Sequence, residues 1–171
     1  MAVPAAGEGT APRLAELFPD TTRAGAALRA RGWRLAVAES CTGGLLGAVL
    51  TAVPGSSAYV VGGVIAYDNV VKEDMLGVEP AILAGHGAVS AEVAVAMASG
   101  VREALSVAVG VAVTGVAGPG SEEGGKPAGL VYVAIAAPDG DRVVRLDDDL
   151  GRDGNRAAAV RVALRLIADL A

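Results

Sequence analysis

The sequence contains few of the residues that build disulfides, zinc sites or aromatic binding surfaces. It has one cysteine, one histidine, one tryptophan, three tyrosines and one phenylalanine among 171 residues. A single cysteine cannot form an internal disulfide, and one cysteine with one histidine is too few for a zinc site built from these ligands. Carboxylates alone can bind Mg²⁺, but the sequence has no clustered Asp/Glu motif. We therefore expect no metal and no cofactor.

Positive charge and long apolar runs are also scarce. The chain carries 14 Lys and Arg against 19 Asp and Glu, a net charge of −5 at pH 7. Without a basic stripe or interleaved aromatic residues, we expect no nucleic-acid binding. The longest nearly apolar run, residues 107–118, is shorter than the roughly 20 residues of a membrane helix, and the first residues lack a signal-peptide pattern. We therefore expect a cytoplasmic protein that does not bind membranes.

The sequence is rich in Ala and Val and predicts closely packed helices against a Val-rich sheet. We interpret residues 1–10 as a flexible tail and residues 11–171 as a single domain. The apolar periodicity and the Gly and Pro positions predict helices at 11–32 (interrupted near Pro19), 42–53, 90–105 and 152–170. They predict strands at 33–40, 57–68, 106–115, 129–138 and 141–150, with a bulge or a close backbone approach at Gly62-Gly63. This order indicates an α/β fold, a three-layer α/β/α sandwich with a mixed β-sheet.

The stretch "AESCTGG" lies where a predicted strand meets a predicted helix. One interpretation is that Ser40 or Thr42 only caps the helix. The other is that Ser40 is a nucleophile, because backbone N–H groups from Cys41 to Gly44 could bind a developing oxyanion. Gly43 and Gly44 also favour a functional role, since each costs about 1 kcal/mol relative to Ala in a helix. Cys41 is a competing nucleophile.

A serine nucleophile needs a base, and the sequence offers two candidates. His86 is the only histidine, in the stretch "AGHGAV". Lys72 is one of two lysines in a chain that otherwise uses arginine, and a buried lysine can lose its proton whereas an arginine cannot. Ser/Lys pairs activate hydroxyls in this way, and Tyr67 could join the same hydrogen-bond network. The alternative is that Lys72 is a surface residue at a helix start.

The glycine-rich stretch after the third predicted strand is a candidate ligand loop. Residues 120–127, "GSEEGGKP", match the start of a P-loop, but Pro127 replaces the required Ser or Thr and a strand follows instead of a helix, which excludes a nucleoside triphosphatase. The preceding "TGVAGPG" lies beyond the end of a buried strand, a frequent ligand position. Thr114 offers a hydroxyl there, and the glycines can turn backbone N–H groups toward an anion. The alternative is a flexible connection.

Five stretches in order resemble the C-terminal domain of the competence/damage-inducible CinA proteins. They are "AESCTGG", "GVIAYDNVVKEDMLGV", "GAVSAEVAVAMASGVR", "AVTGVAGPG" and "KPAGLVYVAIA", and they cover about residues 33–137. The larger CinA proteins carry an additional N-terminal domain for which this chain has no room. We therefore expect the stand-alone form of the family, a nicotinamide-nucleotide amidase.

The resemblance implies hydrolysis of nicotinamide mononucleotide to nicotinate mononucleotide and ammonia by a metal-free Ser/Lys mechanism. Ser40 would be the nucleophile and Lys72 the base, with Tyr67 and Thr114 as supporting hydroxyls. The family's "GDR-x-x-x-R" appears as "LGRDGNR", which places Arg152 and Arg156 as phosphate ligands without deciding between them. The remaining substrate-binding residues would be Cys41, Thr42, Gly43, Gly44, Gly115, Gly118 and Gly120.

Two further expectations concern the wider role of the chain. We expect the partner to be a small-molecule nucleotide substrate and the domain to form a homo-oligomer. The rival function is a non-catalytic domain that senses a nucleotide or binds a partner in competence or the DNA damage response. Ammonia release from nicotinamide mononucleotide distinguishes the two functions.

Overall fold

The computed structural model of the protein describes residues 13–122 and 124–170. The predicted tail, residues 1–10, lies outside these ranges. Five strands form within them: β1 (Leu35–Glu39), β2 (Val60–Ile65), β3 (Val109–Gly115), β4 (Val131–Ala136) and β5 (Arg142–Leu146). The helices there are α1 (Leu14–Leu17), α2 (Asp20–Arg31), α3 (Leu45–Thr51), α4 (Asn69–Leu76), α5 (Pro80–His86), α6 (Ala91–Ala104) and α7 (Gly151–Ala168). No helix in the described ranges has both the length and the apolar character needed to cross a membrane.

The five strands form one mixed sheet in the order β2-β1-β3-β4-β5. β1 pairs in parallel with β2 and β3, whereas β3–β4 and β4–β5 pair antiparallel. Because successive side chains of a strand point to opposite faces, Val37 packs with α2, α3 and α7, and Ala36 and Ala38 pack with α4, α5 and α6. The prediction of a three-layer α/β/α sandwich with a mixed sheet is confirmed.

Small residues allow the layers to approach closely. A Cβ atom at Gly100 in α6 would overlap the carbonyl oxygen of Leu76 at the end of α4. A Cβ atom at Gly110 in β3 would likewise overlap the carbonyl oxygen of Ala98 in α6. The close packing predicted from the composition is therefore present between α6, α4 and the sheet.

The observed element boundaries differ from the predicted ones where glycines change the backbone. The helix predicted from residue 42 begins only at Leu45, because Gly43 and Gly44 have φ angles of +57° and +94°. The strand predicted for 57–68 is shortened to β2, since Ser56–Ala58 form a 3-10 turn. The close approach predicted for Gly62-Gly63 is confirmed, because a Cβ atom at Gly63 would overlap Val37. The register shift of this strand lies just before the pair, between Val60 and Gly62.

The parallel strands place their carboxyl ends at one edge of the sheet. Glu39 at the end of β1 lies opposite Ile65 in β2 and Val113 in β3. The Ser40 N–H donates to the Val113 oxygen at 2.9 Å, and the Ala66 N–H donates to the Glu39 oxygen at 2.7 Å. The residues that follow β1 and β2, and the end of β3 at Thr114, therefore lie side by side.

Candidate active site

Ser40 lies at the centre of this edge, in the turn that joins β1 to α3. It is 8 % exposed. The turn is closed by a hydrogen bond from the Gly43 N–H to the Ser40 oxygen at 3.1 Å. The left-handed backbone of Gly43 and Gly44 reverses the chain directly after the serine. The turn thus fixes the Ser40 backbone between the ends of β2 and β3.

Glu39 is a residue of this site that the sequence interpretation missed. Its side chain is 1 % exposed, and its carboxylate accepts hydrogen bonds from three backbone N–H groups at the start of α3. Those of Gly44 and Leu46 bind Oε2 at 3.0 Å each, and that of Gly47 binds Oε1 at 2.8 Å. The proposal that Ser40 or Thr42 caps the helix is therefore wrong, because Gly44 is the N-cap and no side chain at that position bonds the helix. The available signal was one acid ending the otherwise apolar strand "LAVAE".

The amides available for an oxyanion are fewer than the sequence suggests. The Gly43 and Gly44 N–H groups bind Ser40 and Glu39 respectively. Within the described residues, the Thr42 N–H has no protein partner, and the Cys41 N–H contacts no group other than its own thiol. The Thr42 hydroxyl is also buried and, in the same ranges, without a hydrogen bond. Of the four expected donors, Cys41 and Thr42 remain.

Cys41 is poorly suited to act as a nucleophile. It is 4 % exposed, and burial is the main cause that raises the pKa of its thiol to about 12. The residue's own backbone N–H and the positive charges of Arg156 and Lys72 lower this pKa, whereas the Glu39 carboxylate raises it further. A thiol with such a pKa has very little of the reactive thiolate near neutral pH.

Lys72 is buried in the first half of α4 and reaches the same edge of the sheet. It is 1 % exposed, and its Nζ donates to the backbone oxygen of Tyr67 at 3.2 Å. Burial lowers the pKa of Lys72, although the Asp68 carboxylate acts in the opposite direction. The alternative of a surface lysine at a helix start is therefore wrong.

Tyr67 and Arg152 are in contact in the wall of an open pocket beyond this edge. Tyr67 is 59 % exposed, and its hydroxyl accepts a hydrogen bond from Arg152 Nη2 at 3.4 Å. Arg152 Nη1 donates to the Gly118 oxygen at 2.7 Å. The pocket has a volume of about 200 Å³, and its wall includes Gly115, Gly120 and Ser121. The structure thus joins Tyr67, the glycine-rich loop and Arg152.

Arg156 occupies a different place from Arg152. Its Nη2 donates to the Thr42 oxygen at 2.9 Å, and its Nη1 lies 3.6 Å from Asp153. Four residues apart on α7, the two arginines thus contact different loops of the site. Arg156 supports the turn of residues 40–44, whereas Arg152 lines the pocket.

Thr114 links the end of β3 to the segment before α6, and Asn155 holds the glycine-rich loop in position. Thr114 is 1 % exposed, and its hydroxyl donates to the Ala88 oxygen at 2.7 Å, so it can only accept a further hydrogen bond. Asn155, which the sequence interpretation missed, is 2 % exposed. Its Nδ2 donates to the Ala117 oxygen at 3.1 Å, and its Oδ1 accepts from the Leu150 N–H at 2.7 Å. Asn155 thereby fixes the start of α7 to the loop.

His86 and Lys126 lie outside this group of residues. The His86 ring is half exposed at the end of α5, with Nδ1 3.5 Å from Glu92 Oε1. Lys126 Nζ donates to the backbone oxygens of His86 at 2.8 Å and Val89 at 2.7 Å. The loop is followed by a strand, β4, and not by the helix N-terminus of a P-loop. Lys126 therefore links backbone carbonyls of the protein. Over residues 13–122 and 124–170, no group of three or more His, Cys, Asp or Glu is placed to hold a metal.

Comparisons with known proteins match one family over most of the chain. The family described as the CinA C-terminal domain matches residues 20–171. A CinA-like protein of Synechococcus sp. (strain RCC307) is 54% identical over 142 residues, which are 82% of this chain and 34% of that protein. The CinA-like protein of Cyanothece sp. (strain PCC 7425 / ATCC 29141) is 52% identical with the same coverage. The chain spans roughly one third of the length of these curated relatives.

Solved structures give the same result for the fold. The competence/damage inducible protein CihA from Agrobacterium tumefaciens has a TM-score of 0.84 and 38% identity, with 99% of both chains covered. A competence-damaged protein (CinA) superfamily protein from Klebsiella pneumoniae has a TM-score of 0.85 and 35% identity, covering 90% of this chain and 96% of that one. These similarities extend over the strands and helices that carry the candidate site.

Proposed function

The chain belongs to the CinA C-terminal domain family, and on that premise we propose that it is a Ser/Lys amidohydrolase that converts nicotinamide mononucleotide and water to nicotinate mononucleotide and ammonia. The observation that carries the proposal is the environment of Lys72. It is a buried lysine with no carboxylate within ion-pair distance among the described residues, and it lies close enough to the Ser40 turn for its charge to lower the pKa of Cys41. Because burial favours its neutral form, Lys72 is suited to accept a proton.

The first half of the reaction forms an acyl-enzyme. Neutral Lys72 Nζ takes the proton of the Ser40 hydroxyl as Oγ attacks the carboxamide carbon. The carbonyl oxygen becomes negatively charged, and the free N–H groups of Cys41 and Thr42 donate hydrogen bonds to it. The C–N bond then breaks, and Lys72 returns the proton to the departing nitrogen, which leaves as ammonia.

The second half of the reaction restores the enzyme. Lys72, neutral again, takes a proton from a water molecule as that water attacks the Ser40 ester. The C–O bond to Oγ breaks, Lys72 returns the proton to Oγ, and nicotinate mononucleotide leaves. The backbone oxygen of Tyr67, which accepts from Nζ at 3.2 Å, holds the amine in place during these transfers.

Arg152 is the arginine better placed to bind the substrate phosphate. It lines the pocket with the glycine-rich loop and is exposed, so its guanidinium can form a bidentate contact with an entering anion. Arg156 instead donates to Thr42, next to the proposed oxyanion donors. We therefore assign phosphate binding to Arg152 and support of the nucleophile turn to Arg156.

Ammonia release from nicotinamide mononucleotide by purified Ser40→Ala, Cys41→Ser and unmodified protein tests this function. We expect Ser40→Ala to be inactive and Cys41→Ser to keep most of the activity, because the Cys41 thiol is protonated at neutral pH. Equal ammonia release by Ser40→Ala and the unmodified protein would refute the Ser/Lys mechanism. Nucleotide binding without any ammonia release would instead favour the rival sensing function.

A further inference from the structure

The buried carboxylate of Glu39 lies directly before the proposed nucleophile and has no part in the proton transfers above. We propose that Glu39 is a positioning residue that fixes the turn of residues 40–44 by binding the start of α3. This inference rests on the proposed amidohydrolase function, since it assigns to that turn the task of presenting Ser40 and the two free amides.

Glu39 connects three parts of the site through hydrogen bonds. Its carboxylate binds the N–H groups of Gly44, Leu46 and Gly47, which no backbone carbonyl within α3 can reach. Its backbone oxygen accepts from the Ala66 N–H at 2.7 Å, one residue before Tyr67. Because Glu39 is the last residue of β1, its contacts link the end of this strand, before Ser40, to the start of α3, after Ser40.

Occupation of the helix start also determines where negative charge can develop. An anion at the α3 N-terminus would meet amides that are already bound and a carboxylate of the same sign. The N–H groups of Cys41 and Thr42 lie before that helix end and bind no other residue among those described. Glu39 therefore restricts the oxyanion to the two amides adjacent to Ser40.

Glutamine at position 39 is the sharpest perturbation of this arrangement. Its amide nitrogen donates hydrogen bonds instead of accepting them, so at least one of the three N–H groups would face a second donor at about 3 Å. The turn must then shift, and catalysis is sensitive to displacements of about 1 Å. We expect kcat for nicotinamide mononucleotide to fall about tenfold or more with KM within about threefold, because the Arg152 pocket is unchanged.

Two control variants separate positioning from stability and from charge. Leu50→Ala removes a fully buried side chain from the same helix, at a residue that does not bind the Glu39 carboxylate. Glu103→Gln makes the same chemical exchange at an exposed position of α6. With the folded fraction matched by circular dichroism, both should keep kcat within about threefold of the unmodified protein. An equal loss of kcat in Leu50→Ala, or more than half of kcat retained in Glu39→Gln, would overturn the proposal.

Amide hydrogen exchange of the unmodified protein tests the same contacts without relying on activity. We expect Gly44 and Gly47 to exchange much more slowly than Cys41 and Thr42, since the first two amides bind Glu39. Equal exchange at all four amides would overturn the role of Glu39 even in an active enzyme. If the Gly44 and Gly47 amides exchange slowly in a protein that releases no ammonia, the Glu39 contacts are supported and the amidohydrolase function is refuted. Because amide exchange is measured on the unmodified protein, it tests the role of Glu39 even if Glu39→Gln does not fold.

Discussion

Replacing Lys72 by methionine should stabilise the protein while abolishing its activity. The lysine is 1 % exposed, and within the described residues its ammonium has a single hydrogen-bond partner, the Tyr67 backbone oxygen at 3.2 Å. Methionine has a similar length and no charge to desolvate. A side chain whose role is packing should stabilise the fold, whereas a side chain whose role is proton transfer can lower the stability of the fold.

The size of the effect follows from the burial of the charge. Replacing buried charged groups by apolar side chains of similar volume is often neutral or stabilising, and for this poorly compensated ammonium we expect a gain of about 1–3 kcal/mol in the free energy of unfolding. For a domain of this size that gain corresponds to a rise in Tm of roughly 2–10 °C. The Asp68 carboxylate offsets part of the cost of the charge and favours the lower end.

The pH dependence of the difference provides a second measurement. Burial lowers the pKa of Lys72, so the unfolded chain binds this proton more tightly than the folded protein does. The cost is complete at pH values below the folded pKa and disappears as the pH rises toward the unfolded value of about 10.4. The stability advantage of Lys72→Met should therefore be largest at pH values below the folded pKa and should shrink as the pH rises toward about 10.4.

Thermal unfolding by circular dichroism from pH 6 to pH 10, with ammonia release measured on the same samples, examines both effects. Lys72→Arg should also be inactive, because arginine cannot accept a proton at these pH values. We would abandon the view that burial of the Lys72 charge destabilises the protein if Lys72→Met had a lower Tm than the unmodified protein by the same amount at every pH. An active Lys72→Met protein would refute its role as the base.

Four further predictions concern the substrate, the pH profile, the metal and the assembly. Offering nicotinamide riboside instead of the mononucleotide should reduce kcat/KM at least tenfold, since a charged bidentate contact contributes about 1.5–3 kcal/mol. Arg152→Ala should remove this preference for the mononucleotide, whereas Arg156→Ala should mainly lower kcat. The opposite pattern would exchange the roles assigned to the two arginines. In the unmodified protein, kcat/KM should rise with pH through the pKa of Lys72, below the ordinary value of about 10.4, and a flat profile would exclude Lys72 as the base. Ammonia release should persist in excess chelator, and a loss restored by a divalent ion would contradict the metal-free mechanism. The homo-oligomer stays a prediction, which light scattering of the purified chain would decide.

The sequence by itself determined the layers of the fold and the two central candidates for chemistry. The apolar run of β3 and the spacing of Val160, Leu164 and Ile167 on α7, with Leu170 just beyond its end, are local patterns, and burial follows them in the structure. The β-branched run of β2 also forms a strand, but at the edge of the sheet it is only partly buried. The sequence also indicated both candidates directly, because Ser40 precedes two glycines and Lys72 is one of two lysines in a chain that otherwise uses arginine. The ends of elements were less predictable, because backbone angles such as that of Gly44 end or start a helix within one residue.

Only the tertiary structure decided what each candidate residue can do, because those properties depend on contacts between distant parts of the chain. Arg156 meets Thr42 from 114 residues away, and Arg152 meets Tyr67 from 85 residues away, so their different roles are not contained in their shared motif. The three amides on Glu39 come together only when β1 and α3 have formed with the glycine turn between them. The lowered pKa of Lys72 likewise arises from burial in the folded domain, since the same side chain in an unfolded chain is fully hydrated and keeps its ordinary pKa.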